Sequence, residues 1–284
     1  MEIVKSLKGI SFDLIYEAFG QAFKDYEVQV NQEELRKMLR RRGFVPELSF
    51  AAFHGDRIVS FTFNGIGVYQ GRKTAYDTGS GTLKEYRGQG LATRIFQHSV
   101  PFLKEAGVEQ YLLEVLQHNE NAVSVYQKVG FQVSREFNYY VLKQEELQMS
   151  AKDMQGVYQI QPIDRAQREA MSQFCDFDPS WQNSFDAINR QPEDFTIQGA
   201  FKEKELLGYC VFEPSSGDIT QIAVHPNYRR KGIGTRLIRE VVKLNQNDSL
   251  KIINTEVGCE SMAKFWEAHS IQPSGKQFEM ILPL

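Results

Sequence analysis

"YRGQGLATRIF" runs from Tyr86 to Phe96, and "YRRKGIGTRLI" runs from Tyr228 to Ile238. One phrase thus recurs after 142 positions, half of a 284-residue chain, with five of eleven letters kept. Each copy follows a strand-like run, passes through an arginine and a glycine-bearing turn, and opens an amphipathic helix. The first-turn N–H groups of a helix have no internal partner, and the helix dipole places partial positive charge there. Gly88 and Gly90, or Gly232 and Gly234, let an anion approach that backbone with no Cβ in the way. The arrangement suits a pyrophosphate.

Length and composition agree with a duplicated plan. A chain of 284 residues exceeds the usual single domain, so two domains of ~140 residues are expected. Hydrophobic residues make up 42% and charged residues 24%, enough for a core in each half. With 33 basic and 36 acidic residues the net charge is −3, so no global field recruits nucleic acid or a membrane surface. Cys175, Cys210 and Cys259 show no paired or metal-type spacing and fit reduced thiols. The five histidines form no ligand pair, so no metal is expected. With no apolar run of ~18 residues, the expectation is a soluble, cytoplasmic protein.

Around the phrases, the two halves read in the same order. Ser11 caps a helix carrying Leu14, Ile15, Ala18, Phe19, Ala22 and Phe23, and Asn31 with Glu34 forms a capping box that opens a second. Gly43 stops that second helix, and Arg40, Arg41 and Arg42 read as solvated cations on its C-terminal dipole rather than as a phosphate or nucleic-acid patch, the other reading of a triple arginine. Segments 48–54 and 57–65 read as a hairpin, and an extended run from Lys73 to Leu83 leads into the first phrase. A strand (110–117), a helix (119–130) and a strand (132–142) close the first domain, 1–145. The polar stretch 143–156 is a linker. The second domain, 155–284, follows with helical material over 164–190, strands near 196–202, 206–213 and 218–225, and the second phrase. A strand (250–257), a helix (259–269) and a strand (277–283) end it.

Three phosphate-binding designs compete for the phrase. Neither copy carries the Lys-Ser/Thr ending of a Walker A loop. A dinucleotide fingerprint needs a third glycine, where Thr93 and Leu237 stand instead. The third design is [Q/R]-x-x-G-x-[G/A], which Arg87-x-x-Gly90-x-Ala92 and Arg229-x-x-Gly232-x-Gly234 both satisfy. It is the acyl-CoA loop of the GNAT acetyltransferases. "IAVHPNYRRKGIGTRLI" (222–238) and "YLLEVLQHNENAVSVYQKVGF" (111–131) resemble that superfamily strongly, and the resemblance covers nearly the whole chain as two tandem copies.

The resemblance implies an α/β fold of the α+β type: two tandem domains, each a mixed, splayed, mostly antiparallel sheet flanked by helices. It implies acetyl-CoA as co-substrate, no metal, and direct attack of a primary amine on the thioester. Tyr126, in an N-x-x-A-x-x-x-Y-x-x-x-G-F-like run whose alanine sits one turn before the tyrosine, takes the place of the family's proton donor. Glu114, twelve positions earlier, is the candidate base or base-orienter, as in ribosomal-protein and peptide N-terminal acetyltransferases, though alternation could turn it to solvent. Leu83 and the backbone around it are expected to supply the amide that polarises the acetyl carbonyl. Coenzyme contacts then fall to Arg87, Gly88, Gln89, Gly90, Leu91, Ala92, Thr93 and Asn119 in the first domain. In the second they fall to Ala223, Val224, Arg229, Arg230, Lys231, Gly232, Ile233, Gly234 and Thr235.

The second domain departs from the pattern. Trp266 stands where the first has Tyr126, Cys259 replaces Asn119, and Ser270-Ile271 replaces the Gly-Phe pair. Catalysis is therefore expected in the first domain, with a coenzyme-holding or substrate-shaping second one. Against this, Gly79 and Gly81 could make the first domain's central strand irregular. The acceptor is an amine-bearing small molecule or peptide, and Phe19, Phe23, Tyr26, Phe44, Phe177, Trp181 and Phe185 are aromatics available to line its site. The alternative is a coenzyme-binding regulator without turnover, and either a monomer or a homodimer is compatible with the sequence.

Overall fold

The computed structural model describes residues 2–25, 29–147, 158–163 and 167–284. The expected linker lies largely, and Tyr26 wholly, outside the described residues.

The first half opens with β1 (Ile3–Ser6), α1 (Phe12–Phe23) and α2 (Gln32–Arg41). The Ser11 side chain accepts from Leu14 N–H, and the Asn31–Glu34 capping box is formed. Then come β2 (Phe50–His54), β3 (Arg57–Tyr69), β4 (Arg72–Thr82), α3 (Leu91–Glu105), β5 (Gln110–Leu116), α4 (Glu120–Lys128) and β6 (Gln132–Lys143). The second half contains β7 (Gln159–Pro162), α5 (Arg168–Ser172), α6 (Phe185–Arg190), β8 (Thr196–Lys202), β9 (Glu205–Glu213) and β10 (Asp218–Val224). It ends with α7 (Ile233–Val242), β11 (Ser249–Glu256), α8 (Glu260–Glu267) and β12 (Gly275–Pro283). The helical material expected over 164–190 is interrupted: Phe174–Ser180 form irregular backbone between α5 and a short turn at Trp181–Asn183.

The chain divides into two units whose boundaries differ from a simple halving. One comprises Met1–Ser134 with Phe278–Leu284, the other Arg135–Gln277. The first unit's strand order is β1-β2-β3-β4-β5 with β12 beside β5. The second's is β7-β8-β9-β10-β11 with β6 beside β11. Each half thus contributes its last strand to the other half's unit. Burial gives the reason: Tyr140 and Leu142 of β6 lie in one core with Leu237, Ile252 and Trp266, whereas Met280 of β12 lies in another with Tyr111, Leu113 and Phe131.

Within each unit the sheet is antiparallel except at one seam. β4 and β5 run parallel and pair only from Thr74/Gln110 to Tyr76/Leu112. β10 and β11 are parallel and register at Asp218/Lys251. Beyond those points the strands part, leaving a gap in each sheet. A bulge follows at once in both copies: the β3–β4 register shifts at Thr78, and the β9–β10 register shifts at Thr220, 142 positions on. The irregularity is therefore shared and owes nothing to Gly79 or Gly81. A Cβ at Gly81 would stand 2.6 Å from the Phe61 ring and 3.0 Å from Ala22 Cβ, so this glycine admits α1 close to the sheet. Gly81→Val is expected to destabilise the first unit by about 1–3 kcal/mol through overpacking, read by urea unfolding.

Candidate active site

The repeated phrase forms the same structure twice. Gly90 and Gly232 occupy the N-cap positions of α3 and α7 in the left-handed region, with φ of 72° and 78°. No side chain caps either helix. In the first copy the first intrahelical bond runs from Arg94 N–H to the Gly90 carbonyl. The N–H groups of Leu91, Ala92 and Thr93 therefore lead into the turn, as an oxyanion requires. Gly88 holds φ 77°, and Arg230 holds the matching 62° in the second copy.

The arginines make hydrogen bonds within the protein. Arg87 Nε donates to the Thr82 carbonyl at 3.0 Å, and its Nη2 donates to the Ala22 carbonyl at 3.0 Å. Arg229 Nε donates to the Val224 carbonyl at 3.0 Å, and its Nη2 pairs with Asp176 at 2.7 Å. Both guanidinium groups brace the turn against the strand before it. Gln89 Nε2 reaches the Glu85 carbonyl, and Lys231 Nζ donates to the Asn227 carbonyl while lying over the Tyr228 ring. Asn119 caps α4, its side-chain oxygen accepting from Ala122 N–H.

Within the backbone around Leu83, the Leu83 amide itself is engaged. The Leu83 N–H donates to the Val59 carbonyl at 3.0 Å and the side chain is buried, so this amide belongs to the β3–β4 ladder. Antiparallel alternation turns the Thr82 N–H to the other edge, toward the gap. The second unit repeats this: His225 N–H donates to the Leu207 carbonyl, and Val224, 142 positions after Thr82, lines the cavity. Aligning the two phrases by that offset identifies Thr82.

In the second unit the gap widens into a cavity of about 440 Å³. Ala223, Val224, Arg229, Arg230, Gly232, Ile233, Gly234 and Thr235 line it, joined by Phe174, Phe177, Met262 and Phe265. His269 also lines it; its Nε2 lies 3.0 Å from Thr235 Oγ1. Burial, followed by the charge of Arg239, lowers the pKa of this imidazole. A Cβ on Gly234 would reach Phe265 at 2.9 Å, so that glycine seats α7 against α8. Trp266 is buried in the core against Tyr140 and Phe265, and so offers the cavity no phenol.

In the first unit both sequence candidates converge on the apex of the gap, from opposite faces of the sheet. Tyr111, Leu113 and Val115 of β5 face the α4 side, so Glu114 points to the other. Glu114 is partly buried rather than solvated, and it accepts the Tyr76 hydroxyl. Burial, then the Glu114 charge, raises the Tyr76 phenol well above its ordinary value. Tyr126, on α4, donates to Asp77 Oδ2 at 3.4 Å. Tyr76 and Asp77 are consecutive residues of β4, the first of them the last residue paired with β5. Arg42 reaches the same place: its Nη1 donates to the Thr78 carbonyl at 2.9 Å instead of standing in solvent.

Of the expected acceptor aromatics, Phe19, Phe23 and Phe44 pack against the first unit's core. Trp181 and Phe185 are buried, and Phe177 faces the second unit's cavity. Among the described residues no group of three His, Cys, Asp or Glu side chains could hold a metal ion, and no helix is long and apolar enough to cross a membrane.

Known proteins resemble both halves. One is N-alpha-acetyltransferase 30 of Schizosaccharomyces pombe, 36% identical over 98 residues, covering 34% of this chain and 65% of that protein. Another is N-alpha-acetyltransferase MAK3 of Arabidopsis thaliana, 29% identical over 97 residues, covering 34% and 51%. The matches thus span between half and two thirds of those relatives. A solved tandem GNAT protein from the clavulanic acid biosynthesis pathway superposes with a TM-score of 0.73 over 100% of this chain and 98% of its own. At 12% identity that likeness establishes the fold alone. The model of the acetyltransferase (GNAT) family matches residues 12–131 and again 157–267. The chain therefore belongs to the acetyltransferase (GNAT) family, as two copies in tandem.

Proposed function

We propose that the chain is an acetyl-CoA-dependent N-acetyltransferase whose first unit transfers an acetyl group directly to a primary amine. The observation that carries this reading is the convergence of Tyr126 and Glu114, through Asp77 and Tyr76, on the apex where β4 and β5 part. The residues fit acetyl-CoA: an uncapped helix start for the pyrophosphate, and a strand edge at Thr82 for the pantetheine and acetyl carbonyl. When bound, the thioester supplies an electrophilic carbonyl and a thiolate leaving group. Glu114 takes the amine proton, directly or through water, and Tyr126 gives a proton to the departing sulfur. A phenol of ordinary pKa ~10 is matched to that thiolate.

In the second unit, Ile233, Gly234, Thr235 and Val224 hold the same coenzyme in the 440 Å³ cavity. The indole of Trp266 is no substitute for the phenol, which supports a holding role without turnover there. The acceptor placed first is a peptide α-amine, because the relatives named above are N-alpha-acetyltransferases.

The test is coenzyme release, followed by thiol detection, across free-amine peptides, lysine, an aminoglycoside and a polyamine. Amine-dependent release is expected, and the absence of release with every acceptor in the panel would favour a regulator that binds the coenzyme without turnover. Tyr126→Phe is expected to lower kcat by about tenfold or more with KM for acetyl-CoA unchanged. Full turnover in that variant would move the acid elsewhere.

A further inference from the structure

Asp77 takes no step in the mechanism above, yet it accepts the Tyr126 hydroxyl. It follows Tyr76, the last paired residue of β4. Its Oδ2 receives the Tyr126 hydroxyl at 3.4 Å and the Ser80 hydroxyl at 2.8 Å, and its Oδ1 receives the Gly79 N–H at 2.9 Å. The other titratable and charged groups near enough to act on it electrostatically are Tyr76 on β4 itself, with its side chain on the opposite face, Tyr111 on β5, and Arg42 at the end of α2.

We propose that Asp77 is the proton reservoir of Tyr126, a positioning residue that restores the phenol's proton as the leaving thiolate takes it. The proposal rests on the reading of Tyr126 as the acid. As the C–S bond breaks, the thiolate takes the Tyr126 proton and an S–H bond forms. The phenolate oxygen then takes the proton of the Asp77 carboxyl across the contact that already joins them. Asp77 is left as a carboxylate held by the Gly79 N–H and the Ser80 hydroxyl, and it regains a proton from water once products leave. No oxidant or further reactant enters.

The physical need is plain. Without the reservoir, a phenolate would form beside a carboxylate in a poorly hydrated corner, and two like charges there oppose each other. Desolvation, the largest influence, lifts Asp77 to about 6 despite the Ser80 and Gly79 hydrogen bonds. An ordinary aspartate near 3.9 would be empty of protons at neutral pH. Filling the gap with the acetyl donor excludes more water and raises Asp77 further. The sign follows: the reservoir is loaded below the Asp77 pKa and empty above it. A falling limb is therefore expected in kcat/KM as pH rises through about 6, and at higher pH in kcat.

The experiment uses the full chain, acetyl-CoA and a short peptide with an unblocked amino terminus. Infrared titration reads the protonated carboxyl directly. Its band should vanish as pH rises through about 6 in the parent protein, and it should be absent throughout in Asp77→Asn. Asp77→Asn should lower kcat by about tenfold and remove the falling limb, while Asp77→Glu should restore the limb in part. In the Tyr126→Phe background, Asp77→Asn should cost nothing further, because the two act as one unit. A limb that survives Asp77→Asn, or an equal loss in both backgrounds, overturns the reservoir and leaves the acid standing. Full turnover in Tyr126→Phe overturns the acid itself.

Discussion

Deleting Phe278–Leu284 is expected to unfold the first unit, although the deleted residues lie 147 positions beyond its last core aromatic, Phe131. Met280 is fully buried, and Phe278, Leu282 and Leu284 pack beside it against the cluster of Tyr111, Leu113 and Phe131. Glu279 is buried as well, accepting from Ser134 Oγ at 2.8 Å and from the Tyr69 hydroxyl at 3.3 Å. Leu284 N–H donates to the Glu109 carbonyl at 2.9 Å. Losing one buried Met side chain costs about 2–5 kcal/mol. Three further apolar contacts and the stranded polar partners bring the loss to the whole stability of an ordinary domain, about 5–15 kcal/mol. The truncated protein should be insoluble, or should lose one of its cooperative transitions in urea. Unchanged circular dichroism and an unchanged urea profile would show that β12 is dispensable.

That strand also marks the limit of what the sequence discloses. "FNYYVL" and "QFEMILP" each announce a strand by alternation, and alternation names the apolar face. It does not name the core that receives that face. Both β6 and β12 close a half-chain in sequence, and only the burial of Tyr140 in one cluster and Met280 in another separates them. The caps were legible because their partners sit three residues away, as with Ser11 and Asn31. The helix starts at Gly90 and Gly232 were legible for the same reason. The contacts that define the site are long in sequence and short in space. Asp77 and Tyr126 are 49 residues apart, and Arg42 and Thr78 are 36 apart. The choice of Thr82 within the backbone around Leu83 is finer still. It depends on which edge of β4 each N–H faces, and only the bond to Val59 anchors that alternation.

Gly90→Asp and Gly232→Asp should each abolish coenzyme binding in their own unit while leaving the fold intact. Asp tolerates the left-handed region better than most residues, but φ of 72° or 78° still costs it about 1 kcal/mol relative to glycine. No Cβ contact within 4 Å opposes the change at Gly90. The new carboxylate stands beside the first-turn N–H groups, and its charge on the helix dipole offsets about 0.3–1 kcal/mol of that cost. Those are the donors a pyrophosphate needs, and the carboxylate repels the phosphate as well. Affinity should fall by about a hundredfold or more, ~2.7 kcal/mol, at whichever site is changed. Calorimetry with CoA should count two sites in the parent, one in each single variant and none in the double variant, and turnover should disappear with Gly90→Asp. A Tm held within a few degrees of the parent, beside lost binding, separates this outcome from simple unfolding. Undiminished heat of binding in both single variants would mean that neither turn grips the diphosphate.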